Sequence, residues 1–148
     1  MPLDANDTLL ITRQFKAPRD RVFAAFSSAE AMRLWLGPGP CTVTSAALDF
    51  SVGGSYRFVI CTPDGEFGVG GTYREIQPPE KLVFTWSWED DPDWANLESV
   101  ISIELHARDQ ETEIRFTQTG FPNIESGGRH EHGWSASFDK LDTVLAAA

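Results

Sequence analysis

Three polar residues, Arg13, Glu75 and Gln118, occupy strand faces that are otherwise apolar, and at these positions the sequence most directly suggests chemistry. A buried charge is costly unless it is paired. We therefore predict an internal ion pair between Arg13 and Glu75. The alternative is that one or more of the three side chains orient the polar end of a ligand, such as a carboxylate or phenolate bound by Arg13, inside a mostly apolar pocket.

His130, Glu131 and His132 cluster near the end of the sequence and raise the question of a metal site. Residues two apart on a helix point well away from each other. The two-histidine zinc motif instead requires a spacing of four and a third ligand elsewhere. The spacing therefore predicts that no metal is bound here.

The usual signatures of nucleophilic catalysis are missing from the sequence. It contains no Gly-x-Ser-x-Gly motif, and neither Cys41 nor Cys61 has a histidine beside it. The two cysteines also lack metal-ligand spacing, so we expect free thiols in a reducing compartment. These observations predict no catalytic residue and no cofactor.

Seven segments in which apolar and polar residues alternate predict the strands that position these side chains. They span residues 8–16, 41–50, 55–62, 67–73, 82–88, 99–105 and 114–118. Two short helices are predicted after the first strand. One follows Pro18, and the other begins at a capping-box pattern of Ser27 and Glu30 and continues to Leu36.

A helical period replaces this alternation over residues 128–147 and predicts one long closing helix. Its stripe consists of His130, Trp134, Phe138, Leu141 and Leu145. The helix is about 30 Å long at ~1.5 Å per residue, enough to cover the buried face of a twisted antiparallel sheet. The stripe is either plain core or, because large aromatic rings and Gly133 leave space, a lid over a cavity.

These elements together predict an α+β fold, with a curved seven-stranded antiparallel sheet wrapped around the C-terminal helix and two short helices after the first strand. The length of 148 residues, with no repeat or linker, predicts a single domain over residues 1–148. We expect a monomer or a homodimer.

The balance of charge limits the possible partners. Acidic side chains outnumber basic ones by 22 to 12, and the net charge of -10 disfavours nucleic acid and anionic membranes. No signal-peptide pattern and no apolar run of about 18 residues is present, so we expect a cytoplasmic protein.

Short motifs recur in one order along nearly the whole chain. They are Arg13 with Ala17-Pro18 and Val22-Phe23, Trp35-Leu36-Gly37-Pro38, Asp49 with the Gly53–Phe58 segment, Gly71 with Tyr73 and Glu75, the Pro78–Trp86 segment, and Gly133-Trp134 with Phe138, Asp139 and Leu141. The ordered set resembles the activator of heat-shock protein 90 ATPase homologue family. This resemblance implies the helix-grip fold of the START-like superfamily, which includes lipid-transfer-like and polyketide-cyclase-like domains.

The resemblance also implies a function, the binding of a small hydrophobic or aromatic molecule between the sheet and the closing helix. The predicted ligand-binding residues are Arg13, Trp35, Phe58, Phe67, Tyr73, Glu75, Phe84, Trp86, Ile103, Phe116, Gln118, Trp134 and Phe138. Two alternatives stay open. One is a chaperone-interacting or stress-related protein-interaction module that uses the acidic surface around residues 89–93, and the other is a small cofactor-independent enzyme of the cyclase or aromatase type.

Overall fold

The secondary structure of the protein follows the predicted order. The structure is a computed structural model and describes residues 8–37, 39–95 and 97–147. Within these residues the strands are β1 (Leu9–Phe15), β2 (Thr42–Leu48), β3 (Ser55–Thr62), β4 (Gly65–Gln77), β5 (Lys81–Trp88), β6 (Ser99–Arg108) and β7 (Glu111–Thr119). The helices are α1 (Arg19–Ala24), α2 (Ala29–Arg33) and α3 (Ile124–Ala147). A short 3-10 helix, Pro92–Trp94, interrupts the acidic loop after β5.

All seven strands form one antiparallel sheet in the order β1-β7-β6-β5-β4-β3-β2. Helices α1 and α2 carry the chain from β1 at one edge of the sheet to β2 at the other. Register shifts occur between Val43 and Ser45 and between Tyr73 and Glu75. Such irregularities increase local twist, and the curved sheet closes around α3. The predicted helix-grip fold is confirmed.

The apolar stripe of α3 lies against the sheet as predicted. Trp134, Phe138, Leu141 and Leu145 are buried. Phe138 packs at the centre of an aromatic cluster, with ring centroids 6.0 Å from Phe15, 5.9 Å from Trp35 and 5.7 Å from Phe116. Most of the stripe is therefore core.

Helix α3 begins four residues earlier than the sequence pattern predicts. The side-chain oxygen of Asn123 accepts a hydrogen bond of 2.9 Å from the backbone N–H of Ser126 and caps the first turn. This cap holds Gly127 and Gly128 within the helix, although glycine disfavours a helix interior by about 1 kcal/mol relative to alanine.

The boundaries of α2 also differ from the prediction. The N-cap is Ser28, whose Oγ accepts from the N–H of Ala31 at 3.1 Å, while Ser27 Oγ donates to the Ala24 carbonyl at the end of α1. Helix α2 ends at Arg33 rather than Leu36. Trp35 leaves the helix and donates its indole N–H to the Ala25 carbonyl at 2.9 Å. Burial of this aromatic ring outweighs continuation of the helix.

Candidate functional site

A cavity of about 550 Å³ opens between the N-terminal half of α3 and the neighbouring ends of β3, β4 and β5. This volume falls within the usual range for small-molecule sites, about 300 to 1,000 Å³. Its apolar walls include Leu36, Ile60, Phe67, Trp86, Trp88, Trp94 and Trp134. Four of the five tryptophans of the protein therefore surround one space.

One face of α3 forms the helical wall of this cavity. Ser126, His130, Gly133 and Ser137 all line it, and their spacing of three or four residues places them on the same side of a helix. Gly133 has no side chain, so the helix contributes little bulk at the middle of this wall. The room suggested by a glycine beside Trp134 is found on the cavity side of the helix.

His130 organises the tryptophans at one end of the cavity. Its Nε2 atom accepts hydrogen bonds from the indole N–H groups of both Trp86, at 3.2 Å, and Trp88, at 3.0 Å. Its Nδ1 atom lies 2.7 Å from the carbonyl oxygen of Ser126. An imidazole that accepts at Nε2 must carry its proton at Nδ1, so the three contacts select one neutral tautomer that donates to Ser126.

The surroundings of His130 also favour its neutral form. Its ring lies 5.3 Å from that of Trp94 and 5.2 Å from that of Phe121. Burial is the main cause that lowers the pKa of His130 below its ordinary value of 6.5, with a smaller contribution from the positive charge of Arg129, against the opposing hydrogen bond to Ser126. Both ring nitrogens are occupied, so this histidine has no free nitrogen for a metal ion or a reacting proton.

The mouth of the cavity is acidic. Its lining includes the carboxylates of Glu66, Glu89, Asp90 and Asp91, and one cationic side chain, Arg129. We refer to the four carboxylates as the acidic mouth. They belong to the start of β4 and to the loop after β5, two segments far apart in sequence that meet where the sheet curls over the helix.

Three carboxylates of the acidic mouth have clear partners. Asp91 Oδ1 accepts a hydrogen bond of 3.0 Å from the backbone N–H of Asp93. Both oxygens of Glu89 bind the Arg57 guanidinium, at 2.6 and 2.8 Å, and this hydrogen bonding lowers the pKa of Glu89. Glu66 accepts a hydrogen bond of 3.0 Å from the hydroxyl of Thr44. The side chain of Arg129 is 68% exposed and contacts Ser126 Oγ at 3.3 Å.

Comparison with known protein families accounts for the architecture. A model of the family described as activator of Hsp90 ATPase homolog 1-like protein matches residues 16–146, which is most of the chain. The chain belongs to this family. The resemblance drawn from the sequence motifs is confirmed.

Solved structures of similar proteins support the same assignment. A protein from Chromobacterium violaceum is 25% identical, with a TM-score of 0.84 over 93% of this chain and 96% of that chain. The AHSA1 protein of Silicibacter pomeroyi is 26% identical, with a TM-score of 0.82 over 95% and 99% of the two chains. An uncharacterized protein from Rhizobium leguminosarum is 25% identical, with a TM-score of 0.80 over 100% and 99%. The comparison with curated proteins gave no significant match.

Within this member of the activator of Hsp90 ATPase homolog 1-like family, three predicted site residues, Phe67, Trp86 and Trp134, line the cavity. Eight others lie elsewhere in the buried core. They are Trp35, Phe58, Tyr73, Phe84, Ile103, Phe116, Gln118 and Phe138. The ring centroids of Trp134 on α3 and Phe116 on β7 are 4.8 Å apart. Helix α3 therefore packs directly on the middle of the sheet, and the cavity lies beside its N-terminal half.

The predicted ion pair between Arg13 and Glu75 is wrong. Arg13 on β1 instead binds Asp139 at 2.5 Å and Asp142 at 2.8 Å, both on α3. Although partial burial opposes the charge, the hydrogen bonds to these carboxylates raise the pKa of Arg13. The side-chain nitrogen of Lys81 lies 3.3 Å from Glu75 Oε2, and this oxygen makes no hydrogen bond of good geometry to any described residue. Strands β7, β6 and β5 separate Arg13 from Glu75.

Gln118 is buried in the core and does not line the cavity. Its side-chain oxygen accepts from the indole N–H of Trp134 at 3.0 Å, and its amide nitrogen donates to Ser99 Oγ at 2.9 Å. Ser99 in turn donates to the carbonyl of Thr119. This buried chain of hydrogen bonds satisfies the polar groups and orients the indole of Trp134 beside the cavity.

Sequence reasoning missed His130 as the centre of the tryptophan cluster, and it missed Trp88, Trp94 and the acidic mouth as cavity residues. Trp86 and Trp88 lie two apart on β5 and therefore point to the same face of the strand. This shared face lets both indole N–H groups reach His130 on α3. Only the position of His130 on the helix stripe signalled that it faces the sheet.

The described residues contain no group of three or more histidine, cysteine or acidic side chains placed to hold a metal ion. Both cysteines are free thiols, as predicted, and Cys41 is one of the residues that line the cavity. Across the part of the chain that the structure covers, no helix has the length and apolar character needed to cross a membrane.

Proposed function

We propose that this protein binds a small, largely apolar ligand in the cavity between α3 and the sheet. The observation that carries the proposal is the placing of four tryptophan side chains around a space of about 550 Å³ next to a helix position without a side chain, Gly133. A protein interior is normally packed to the density of an organic crystal. A space of this size lined by aromatic rings suits a flat or aromatic molecule.

Binding is a better account of this cavity than catalysis. Catalysis by a general acid or base needs a titrating group within hydrogen-bonding reach of the substrate. The one imidazole on the wall, His130, has both nitrogens bonded within the protein. No imidazole or other base among the described residues contacts the thiol of Cys41 to activate it. The cavity is instead well suited to hold a molecule by its shape.

An NMR titration with naphthylmethanol, a neutral aromatic probe, tests this proposal. We expect saturable shifts of the indole N–H signals of Trp86, Trp88 and Trp134. Trp35, whose indole N–H binds the Ala25 carbonyl in another part of the core, serves as an internal reference and should not shift. Native mass spectrometry of freshly purified protein then identifies any ligand that co-purifies.

Two cavity-filling variants locate the bound probe. Gly133→Leu adds bulk from the helix and Ile60→Phe from the sheet, and each should weaken probe binding by at least about tenfold through steric exclusion. Gly128→Leu is the matched control, because an added Cβ at Gly128 meets nothing within 4 Å. Urea denaturation verifies that each variant is folded.

The Gly128 control also tests a second location. A shallow depression of about 630 Å³ lies on the outer side of α3, lined by Glu125, Gly128, Arg129, His132 and Gly133. All of these residues belong to α3, and a single helix cannot enclose a ligand. We therefore expect the probe not to bind at this surface. Loss of binding in Gly128→Leu but not in Ile60→Phe, or the absence of saturable shifts in the unmodified protein, contradicts the proposal.

A further inference from the structure

The charges around the cavity are strongly one-sided. The lining contains the four carboxylates of the acidic mouth and a single guanidinium, that of Arg129. Arg57, which lies outside the lining, neutralises Glu89 through two hydrogen bonds. A negative excess at the mouth is left even when both arginines are counted, and a negatively charged opening with apolar walls concentrates field lines that attract cations.

Neither Arg13 nor Arg129 offers a buried positive charge to an anionic ligand in the cavity. Arg13, the residue whose sequence position suggested binding of a carboxylate, is held by Asp139 and Asp142 and does not line the cavity. Arg129 is largely exposed and bonds to Ser126. A carboxylate or phosphate that entered the cavity would therefore exchange its hydration for a wall without a buried positive charge, which is unfavourable.

Three of the four indole N–H groups on the walls already have acceptors within the protein. The indole N–H groups of Trp86 and Trp88 are used by His130, and that of Trp134 is used by Gln118. Acceptor groups on a ligand thus find little to bind in the interior. Indole rings, in contrast, attract cations through the negative charge of their faces, and tryptophan is the most effective residue for this interaction.

We propose that the ligand of this cavity is an organic cation, with an apolar or aromatic body between the tryptophans and a protonated amine at the acidic mouth. This inference rests on the ligand binding proposed above and adds the sign and position of the ligand's charge. The apolar space between α3 and the sheet defines the site, and the acidic mouth selects among molecules of suitable size.

A series of three probes that differ mainly in charge tests the inference. Naphthylmethylammonium, naphthylmethanol and naphthoate share one ring system and are compared by calorimetry at pH 7.5 and low salt. We expect the ammonium to bind about tenfold more tightly than the alcohol, and naphthoate to bind most weakly. High salt should reduce the preference for the ammonium, because screening shortens the range of charge interactions.

A double variant of the acidic mouth, Glu66→Gln with Asp90→Asn, supplies the mechanistic test. Both residues are exposed, glutamine retains the acceptor for Thr44, and asparagine tolerates the positive φ of 59° at position 90. The preference for the ammonium over the alcohol should fall to about threefold or less. Binding of the neutral alcohol should not change.

Asp109→Asn with Glu131→Gln is the matched control. It changes the net charge by the same amount at residues that do not line the cavity, and it should leave the preference intact. An alcohol that binds as tightly as the ammonium overturns the inference while ligand binding stands. An equal loss of preference in the control pair also overturns it, because the effect then comes from overall charge. Failure of all three probes to bind contradicts the proposed function itself.

Discussion

At the scale of single residues, His130 shows how one side chain can order several others. Two indole N–H groups from alternate positions on one face of β5 converge on one lone pair of its imidazole. A buried donor without a partner costs about 1 to 3 kcal/mol, so the histidine satisfies two such groups together. The same bonds hold Trp86 and Trp88 in the positions that line the cavity.

Replacement of His130 by leucine should destabilise the protein by about 2 to 5 kcal/mol, since both indole groups lose their acceptor. Chemical denaturation measures the free energy of unfolding. His132→Leu, an exposed histidine on the same helix, is the control and should change stability by no more than about 0.5 kcal/mol. Equal stability of the two variants would show that His130 does not support the cluster.

At the scale of secondary-structure elements, Arg13 fastens the edge strand β1 to α3. Its guanidinium binds two carboxylates one turn apart on the helix and the carbonyl of Ser135. Among the described strands, β1 has a neighbour only on the β7 side, so these bonds add a second attachment. The side chain of Arg13 is 24% exposed and that of Asp142 is 44% exposed, so water weakens the interaction without removing it.

A double-mutant cycle between Arg13→Met and Asp142→Asn should give a coupling free energy of about 0.5 to 1 kcal/mol in stability. A second cycle with Arg13→Met and Glu75→Gln is the comparison, and it should give no coupling. Adjacent strands are about 4.8 Å apart, and three strands separate these two residues in the sheet. A larger coupling in the second cycle than in the first would show that Arg13 pairs with Glu75 and not with the carboxylates of α3.

At the scale of the whole molecule, the neutral state of His130 links folding to pH. Burial lowers the pKa of His130 in the folded protein below the ordinary value of 6.5 that applies to the unfolded chain. Below pH 6.5 the unfolded chain therefore binds a proton that the folded protein does not. The contribution to stability is complete above pH 6.5 and is lost as the pH falls below it.

The free energy of unfolding should accordingly decrease between pH 7.5 and pH 5.5, and this decrease should be smaller in His130→Gln than in His132→Gln. Glu89 and Glu113 have pKa values lowered by their arginine partners from an ordinary value of 4.5, so their contributions change only at lower pH. Urea titrations at several pH values supply the measurement. An unchanged pH dependence in His130→Gln would mean that this histidine does not titrate with unfolding.

The sequence by itself determined the elements and their order. Strand β3 has the predicted bounds of residues 55–62, and the buried positions of α3 follow the predicted stripe. Alternation and helical periodicity arise from which side of a local element is buried, so they can be read without knowledge of the partner. Element ends were less accurate where a side chain caps the backbone, as Ser28 and Asn123 do.

Only the tertiary structure decided which side chains meet. The partners of Arg13 lie 126 and 129 residues away in sequence, and their identity depends on a strand order that places β1 beside β7 and under α3. The cavity depends on the same information. Its walls come from the ends of three strands, two connecting segments and one helix face. Whether such surfaces touch or leave a space follows from sheet curvature and packed volumes, which no local pattern encodes.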